Sequence, residues 1–383
     1  MENFIIILNK PTHIFFPGEV LSGHLKIQCK DRIKINSITA VVSGEGSVYW
    51  SERETVHKHR NLSNHRDSGR IMNSTSHKER RKVYYRNHEN YINLQMVLAS
   101  KKAESDFYLE CGEHNYPFQI VLPANLPTSF EHKIGRIRYS IKACIDIPWA
   151  FDKKTTIYFS ILNGLDLNLF PNLRVALGGS EQKFFCCGPC QSEPVTAILN
   201  IPKSGFVPGE RIHFSASLDN KSNRTIKELS IILIQRVAFH AKGKSKMVTS
   251  NVIKSVFSKT IEAKKFENWN DAALIIPPVC PSSNGSCRII DVNYEIALYF
   301  ASELTLDSRV IIPIVIGTVP IMSEGDMGLT NSEFSYLPSE LKLDLNEPIE
   351  VEEDQKTDEA DSNLKAFMPY YPYFKDFSMQ KSQ

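Results

Sequence analysis

The chain has 383 residues, of which 42% are hydrophobic, and carries 45 Lys plus Arg against 43 Asp plus Glu. Its length suits about two or three domains with a sizeable core. The near-neutral balance excludes a whole-protein electrostatic pull toward nucleic acid or membrane, so any such partner must be met by a local patch.

The first residues, MENFIIILNK, start acidic and have only a short apolar run, which does not read as a signal peptide. The next feature is FFPGE at 15 to 19, which returns as FVPGE at 206 to 210. Pro17 and Pro208 preset φ for the second turn position, and Gly18 and Gly209 can take the positive φ of a type II turn at the third. At the constant offset of 191 residues between these turns, the match runs on. Leu21, Gly23, Leu25 and Ile27 fall on one side of a strand in the first copy, and Ile212, Phe214, Ala216 and Leu218 do so in the second. That period of two marks a strand with one buried face. IKINSITAVVSG then pairs with TIKELSIILIQR, so that Ile35 meets Ile226 and Ile38 meets Leu229.

Residues 51 to 90 carry five histidines and ten Lys or Arg against five acids. They are expected to form a long basic loop between strands, a solvated insertion by default. Its candidate anion or phosphate contacts are Arg80, Arg81 and Lys82. Further on, LPANLP (122 to 127) and PPVCP (277 to 281) each precede an alternating strand. Ile137, Tyr139, Ile141 and Ala143 form one inward row, and Val292, Tyr294, Ile296 and Leu298 form the other. Strands at short spacing separated by Gly, Pro and Asn turns predict an all-β chain of two tandem immunoglobulin-type β-sandwiches.

The expected domains are an N-terminal sandwich over 1–170, a connection over 171–192 and a second sandwich over 193–321. A tail over 322–383 is expected to be acidic and largely disordered. The longest later apolar run, VIIPIVIGTVPI, is too short to span a bilayer. Eight cysteines without a scaffold pattern fit a reducing compartment. The expectation is a soluble, cytoplasmic chain.

These residues carry a resemblance. GEHNYPFQIVLPANLPTSFE, GRIRYSIKACIDIPW, FDKKTTIYFSI, FFCCGPC, GFVPGE, IIPPVCPSSNGSCRIIDVNYEIAL and IGTVPI, with the paired Pro-Gly-Glu turns, resemble the arrestin-domain-containing (alpha-arrestin) family over most of residues 4 to 321. One departure is His132, where the family more often has Gly. The resemblance implies an arrestin fold of two cupped β-sandwiches and adaptor work in membrane-protein trafficking, bridging cargo tails to ubiquitin-ligase or endocytic machinery. Association with the plasma membrane or endosomes would then be peripheral. Many members reach ligases through Pro-Pro-x-Tyr motifs held by WW domains. Here the pattern breaks, because the single Pro-Pro pair, Pro277 and Pro278, is followed by Val279 and Cys280.

The tail instead offers FMPYYPYF at 367 to 374, behind a run from 340 to 361 in which ten acids face only Lys342 and Lys356. It resembles a Phe-x-Pro-x-Tyr-Pro pattern near the ends of some members. Pro369, Tyr370, Tyr371, Pro372 and Tyr373 are its candidate docking residues, toward a partner or toward a sheet edge of the chain itself.

From Cys186, Cys187 and Cys190, with Cys111 and His114, four of the five could be assembled as zinc ligands on paper, but the two groups lie at separate places, and buried thiols at a domain junction or an acylated cluster are the other readings. No metal or cofactor is expected. Nucleotide-binding, nucleophile-elbow and zincin motifs are missing, and no enzyme is expected. Two other readings compete with the adaptor: a structural coat subunit similar to the arrestin-fold subunit of retromer, and a binder of acidic lipid or nucleic acid through the basic loop.

Overall fold

The computed structural model describes residues 2–58, 77–102, 105–185, 192–258, 260–302, 307–322, 334–339 and 367–375. The first sandwich opens with β1 (Asn3–Leu8), β2 (Ile14–Phe15), β3 (Val20–Cys29), β4 (Ile33–Ile35) and β5 (Ser37–Lys58). It continues with β6 (His77–Ser100), β7 (Phe107–Leu109), β8 (Gly112–Val121), β9 (Phe130–His132), β10 (Gly135–Asp146) and β11 (Lys153–Ile161). Two short 3-10 turns, Leu167–Leu169 and Pro171–Arg174, lead to β12 (Leu177–Lys183), β13 (Val195–Ile201), β14 (Gly205–Phe206) and β15 (Arg211–Asn220). The second sandwich is completed by β16 (Ile226–Ala241), β17 (Lys244–Ser258), β18 (Phe266–Ile275), β19 (Ile290–Ser302) and β20 (Ser308–Ile316). The tail adds β21 (Phe334–Pro338) and β22 (Tyr370–Phe374).

The duplication read from the turns is also a duplication of topology. One sheet of the first sandwich runs β2-β11-β10-β5-β6, and its counterpart runs β14-β20-β19-β16-β17. In both, the short strand before the Pro-Gly turn joins in parallel: Ser160 opposite Ile14, and Gly205 opposite Val315. The facing sheets run β1-β3-β8 and β13-β15-β18, the latter extended by β12. β12, which follows the 3-10 turns, therefore pairs within the second sandwich, Leu177 opposite Ile201.

Alternation carries the core. Leu21, Leu25 and Ile27 are buried on β3, as are Ile212, Phe214, Ala216 and Leu218 on β15. Both later rows are buried along their whole length, Ile137 to Ala143 and Val292 to Leu298. The matched tyrosines repay the cost of burying a hydroxyl in the same way. Tyr139 donates to the Pro127 carbonyl at 2.7 Å, and Tyr294 donates to the Cys280 carbonyl at 2.5 Å.

One expectation needs correction. The stretch expected as a loop over 51 to 90 is strand at both ends: β5 and β6 pair from Ser37 opposite Ser100 to Lys58 opposite His77, with register shifts between Ile38 and Thr39 and between Gly44 and Glu45. A hairpin whose paired partner carries polar residues on one face gives weak hydrophobic periodicity, and for that reason it reads as a loop. Within the tail, two short strands pair with each other, β21 and β22, from Phe334 opposite Phe374 to Pro338 opposite Tyr370. Cys186, Cys187 and Cys190 lie outside the described residues.

Candidate functional site: the seam between the sandwiches

Each Pro-Gly turn is locked by the glutamate that follows it. Glu19 N donates to the Phe16 carbonyl at 3.0 Å, and Glu210 N donates to the Val207 carbonyl at 3.1 Å, closing two equivalent turns. Gly18 has φ +80° and Gly209 has φ +91°, which glycine adopts without strain. The side chains then fold back. The Glu19 carboxylate accepts the Phe16 N–H at 2.9 Å, and the Glu210 carboxylate accepts the Val207 N–H at 3.1 Å. Lys10 pairs with Glu19 at 2.7 Å, and Lys203 pairs with Glu210. The second pair sits far deeper, with the Glu210 side chain 9% exposed against 31% for Glu19. Burial raises the Glu210 pKa from its ordinary value. The sequence assigns the turns to Pro and Gly; the glutamate stands at the same offset in both copies, and its partners lie three to nine residues upstream.

The tail hairpin lies across this region and touches both sandwiches. Phe367 packs against Tyr158 of β11 with tilted rings, centroids 5.6 Å apart, and Tyr370 N donates to Ser160 Oγ at 3.4 Å. Tyr371, 2% exposed, sends its hydroxyl to the Ser129 carbonyl at 3.0 Å. The same hydroxyl also meets the Cys280 thiol of the second sandwich. Burial pushes that thiol up to about 12 and the Tyr371 phenol well above its ordinary value. Phe374 N then donates to the Pro208 carbonyl at 3.0 Å, and its ring joins a cluster with Leu167, Leu173 and Val207.

Of the candidate tail residues, the structure brings Pro369, Tyr371 and Pro372 inward, while Tyr370 is exposed and Tyr373 half-buried. Strand alternation accounts for the inward Tyr371 beside the outward Tyr370. Phe367, the first residue of the Phe-x-Pro-x-Tyr-Pro pattern, and Phe374, which lies beyond it, anchor the two ends. An aromatic at each end of a proline-rich strand was the available signal.

The sandwiches also meet directly. Lys244 binds Glu52 at 2.6 Å and Glu54 at 3.2 Å, and the Arg288 guanidinium binds Glu89 at 2.8 Å. His132, the last residue of β9, packs on Phe239 with ring centroids 5.0 Å apart. Burial there lowers its pKa to about 4, with Lys133 and Lys246 adding to the effect. Imidazole is therefore neutral at the seam at physiological pH.

The basic triplet is divided by strand alternation. Arg80 lies opposite Thr55 and Lys82 opposite Arg53 on one face of the hairpin, whereas Arg81 lies opposite Glu54 on the other. All three are exposed. Cys111 is exposed, and the His114 ring bonds the Glu110 carbonyl at 2.8 Å. Among the described residues no group of three or more His, Cys, Asp or Glu is placed to hold a metal ion, and no helix is long and apolar enough to cross a membrane. Pro277 and Pro278 are buried.

Comparison with known proteins agrees with this geometry. The family model described as Arrestin (or S-antigen), N-terminal domain, matches residues 4–168, and that of the C-terminal domain matches residues 191–321. The chain is similar to arrestin domain-containing protein 17 of Caenorhabditis elegans, 30% identical over 333 residues, covering 85% of this chain and 72% of that protein. It is also similar to human arrestin domain-containing protein 4, 27% identical over 362 residues, covering 93% and 80% of the two chains. The mouse protein of that name is 31% identical over 289 residues, covering 74% and 68%. With two sandwiches of repeated topology and both domain signatures in series, the chain belongs to the arrestin-domain-containing, or alpha-arrestin, family.

Proposed function

We propose that the protein is a non-enzymatic adaptor in membrane-protein trafficking, holding extended peptide segments of cargo and bringing endocytic or ubiquitin-ligase components to them. The observation that carries this reading is the seat at the seam, which accepts a short aromatic and proline-rich strand. Its main chain is bound by Pro208 and Ser160, and a buried tyrosine is bound by Ser129. Added-strand binding of this kind draws affinity from backbone hydrogen bonds and specificity from pockets for alternate side chains. In the resting chain the tail occupies the seat. A link to ligases through WW domains is not part of the proposal, because Pro277 and Pro278 are buried and lack the tyrosine.

Proximity labelling in cells tests the reading. The full chain is compared with one ended after Met322, whose carbonyl accepts from Arg174 of the second 3-10 turn at 2.7 Å. Recovery of membrane proteins with endocytic or ligase components, enhanced or altered by removing the tail, is expected. Recovery of neither class from either chain overturns it.

A further inference from the structure

At the end of the first sandwich remote from the seam, β10 turns into β11 through Ile147-Pro148-Trp149-Ala150. Gly135 at the start of β10 packs on Phe239 of the second sandwich. The turn lies twelve residues along that strand, roughly 40 Å away at the rise of an extended chain. Ala150 N donates to the Ile147 carbonyl at 3.3 Å, so Pro148 and Trp149 are the central turn residues. Trp149 has φ +64°. Proline first and a positive φ second define a type II turn, whose second central position is normally glycine or asparagine. A bulky residue takes that backbone conformation only against strain, and such strain concentrates where a side chain has to be aimed.

The turn aims Trp149 wholly into solvent: it is 103% exposed, and Phe151 beside it is 95% exposed. Among the described residues, nothing covers either ring. Four lysines, Lys101, Lys102, Lys153 and Lys154, are exposed around them. Lys101 N donates to the Asn36 carbonyl at 2.9 Å, and Asn36 N donates to the Asp146 carbonyl at 2.8 Å, which fixes the Lys101 segment next to the turn. Among the described carboxylates there, Asp106 is paired with Lys34 at 2.6 Å, while Asp146 and Asp152 accept from the neutral Asn36 amide at 3.0 Å and the Cys144 thiol at 3.7 Å and keep their charge, so the four lysines remain in excess. Two exposed aromatics on a turn flanked by lysines match one environment closely. Aromatic rings favour the boundary between lipid headgroups and acyl chains, and lysines beside them meet anionic headgroups.

We propose that the Pro148–Asp152 turn is a membrane-inserting tip that docks the first sandwich on an anionic lipid surface through Trp149 and Phe151. Two aromatic anchors with a modest basic ring give reversible binding, as a peripheral protein requires. Contact at this end leaves the seam and its peptide seat facing away from the lipid headgroups.

The test uses the full chain and vesicles of phosphatidylcholine alone or mixed with phosphatidylserine, read by co-sedimentation and tryptophan emission. The wild-type chain is expected to bind the mixed vesicles with a blue shift of its emission, and to bind the neutral vesicles more weakly. Trp149→Gly relieves the positive φ, so its fold is retained. It is expected to weaken binding about tenfold or more and to lose the blue shift. Phe151→Ala is expected to weaken binding in the same direction. Binding by Trp149→Gly equal to wild type, or a wild-type emission unchanged by mixed vesicles, overturns the proposal. The second outcome would assign the exposed rings to a protein partner instead.

Discussion

The backbone of Phe374 lies directly on Gly209: a Cβ built on that glycine would fall 2.1 Å from the Phe374 carbonyl oxygen. Gly209 is thus held to glycine twice, by its φ of +91° and by the strand that crosses it. Its counterpart Gly18, at φ +80°, has open space where the Cβ would go. The pair of glycines separates backbone strain from tail docking.

Gly18→Ala is expected to cost about 1 to 3 kcal/mol through strain alone and to leave the tail in place. Gly209→Ala is expected to carry that cost and also to displace β22. Hydrogen exchange at the Phe374 amide checks this, with protection kept in the first variant and lost in the second.

Tyr371 reports the seat itself. Tyr371→Phe removes one hydrogen bond, worth about 1 kcal/mol. Tyr371→Ala empties a pocket that a buried aromatic fills, about 3 to 5 kcal/mol, capped by the free energy of docking the tail because the strand can leave. Cys280 is 5% exposed and its thiol is pushed up to about 12, so it should resist alkylation in the wild-type chain. In Tyr371→Ala its alkylation is expected to accelerate, measured by mass spectrometry with the exposed Cys111 as internal reference.

The two Lys–Glu staples differ in depth and should differ in worth. Lys10→Ala breaks a half-exposed pair and is expected to cost at most about 1 kcal/mol. Lys203→Ala strands the buried Glu210 carboxylate, about 3 kcal/mol or more at neutral pH. Glu210 already has a raised pKa from burial, and removing the lysine raises it further. Protonation then relieves the stranded charge, so the deficit of Lys203→Ala is largest at neutral pH and shrinks as pH falls. Denaturant melts at pH 7 and pH 5 measure it.

His132 has a pKa lowered by burial to about 4, against about 6.5 unfolded. Below the unfolded value the unfolded chain binds the proton and the folded chain does not, so stability falls with acidification. The His132 contribution is complete above about pH 6.5 and is lost progressively toward pH 4, by about 3 kcal/mol. Melts of wild type and His132→Asn across that range are expected to diverge as pH drops, with the asparagine variant losing less.

Much of the fold was legible before any coordinates. The offset of 191 residues paired Leu21 with Ile212 and Leu25 with Ala216, and these are buried on equivalent strands because alternation needs only local chain and one wet face. The β5–β6 hairpin was not legible beyond its first residues, since its far half carries Arg80, Arg81 and Lys82 in place of apolar residues on an inward face. The tail segment FMPYYPYF was recognisable as a docking peptide, yet its target was open between the chain itself and a partner.

The sequence by itself determined the repeated sandwich, the two Pro-Gly turns and the candidate tail strand, because turn chemistry and side-chain period act over a few residues. Only the tertiary structure decided that Tyr371 reaches Ser129, 242 residues away in sequence, that Phe374 closes over Gly209, and that Trp149 stands clear of the first sandwich. Those relations depend on how two finished sandwiches meet and on which surfaces are left uncovered, and no local pattern of residues encodes that.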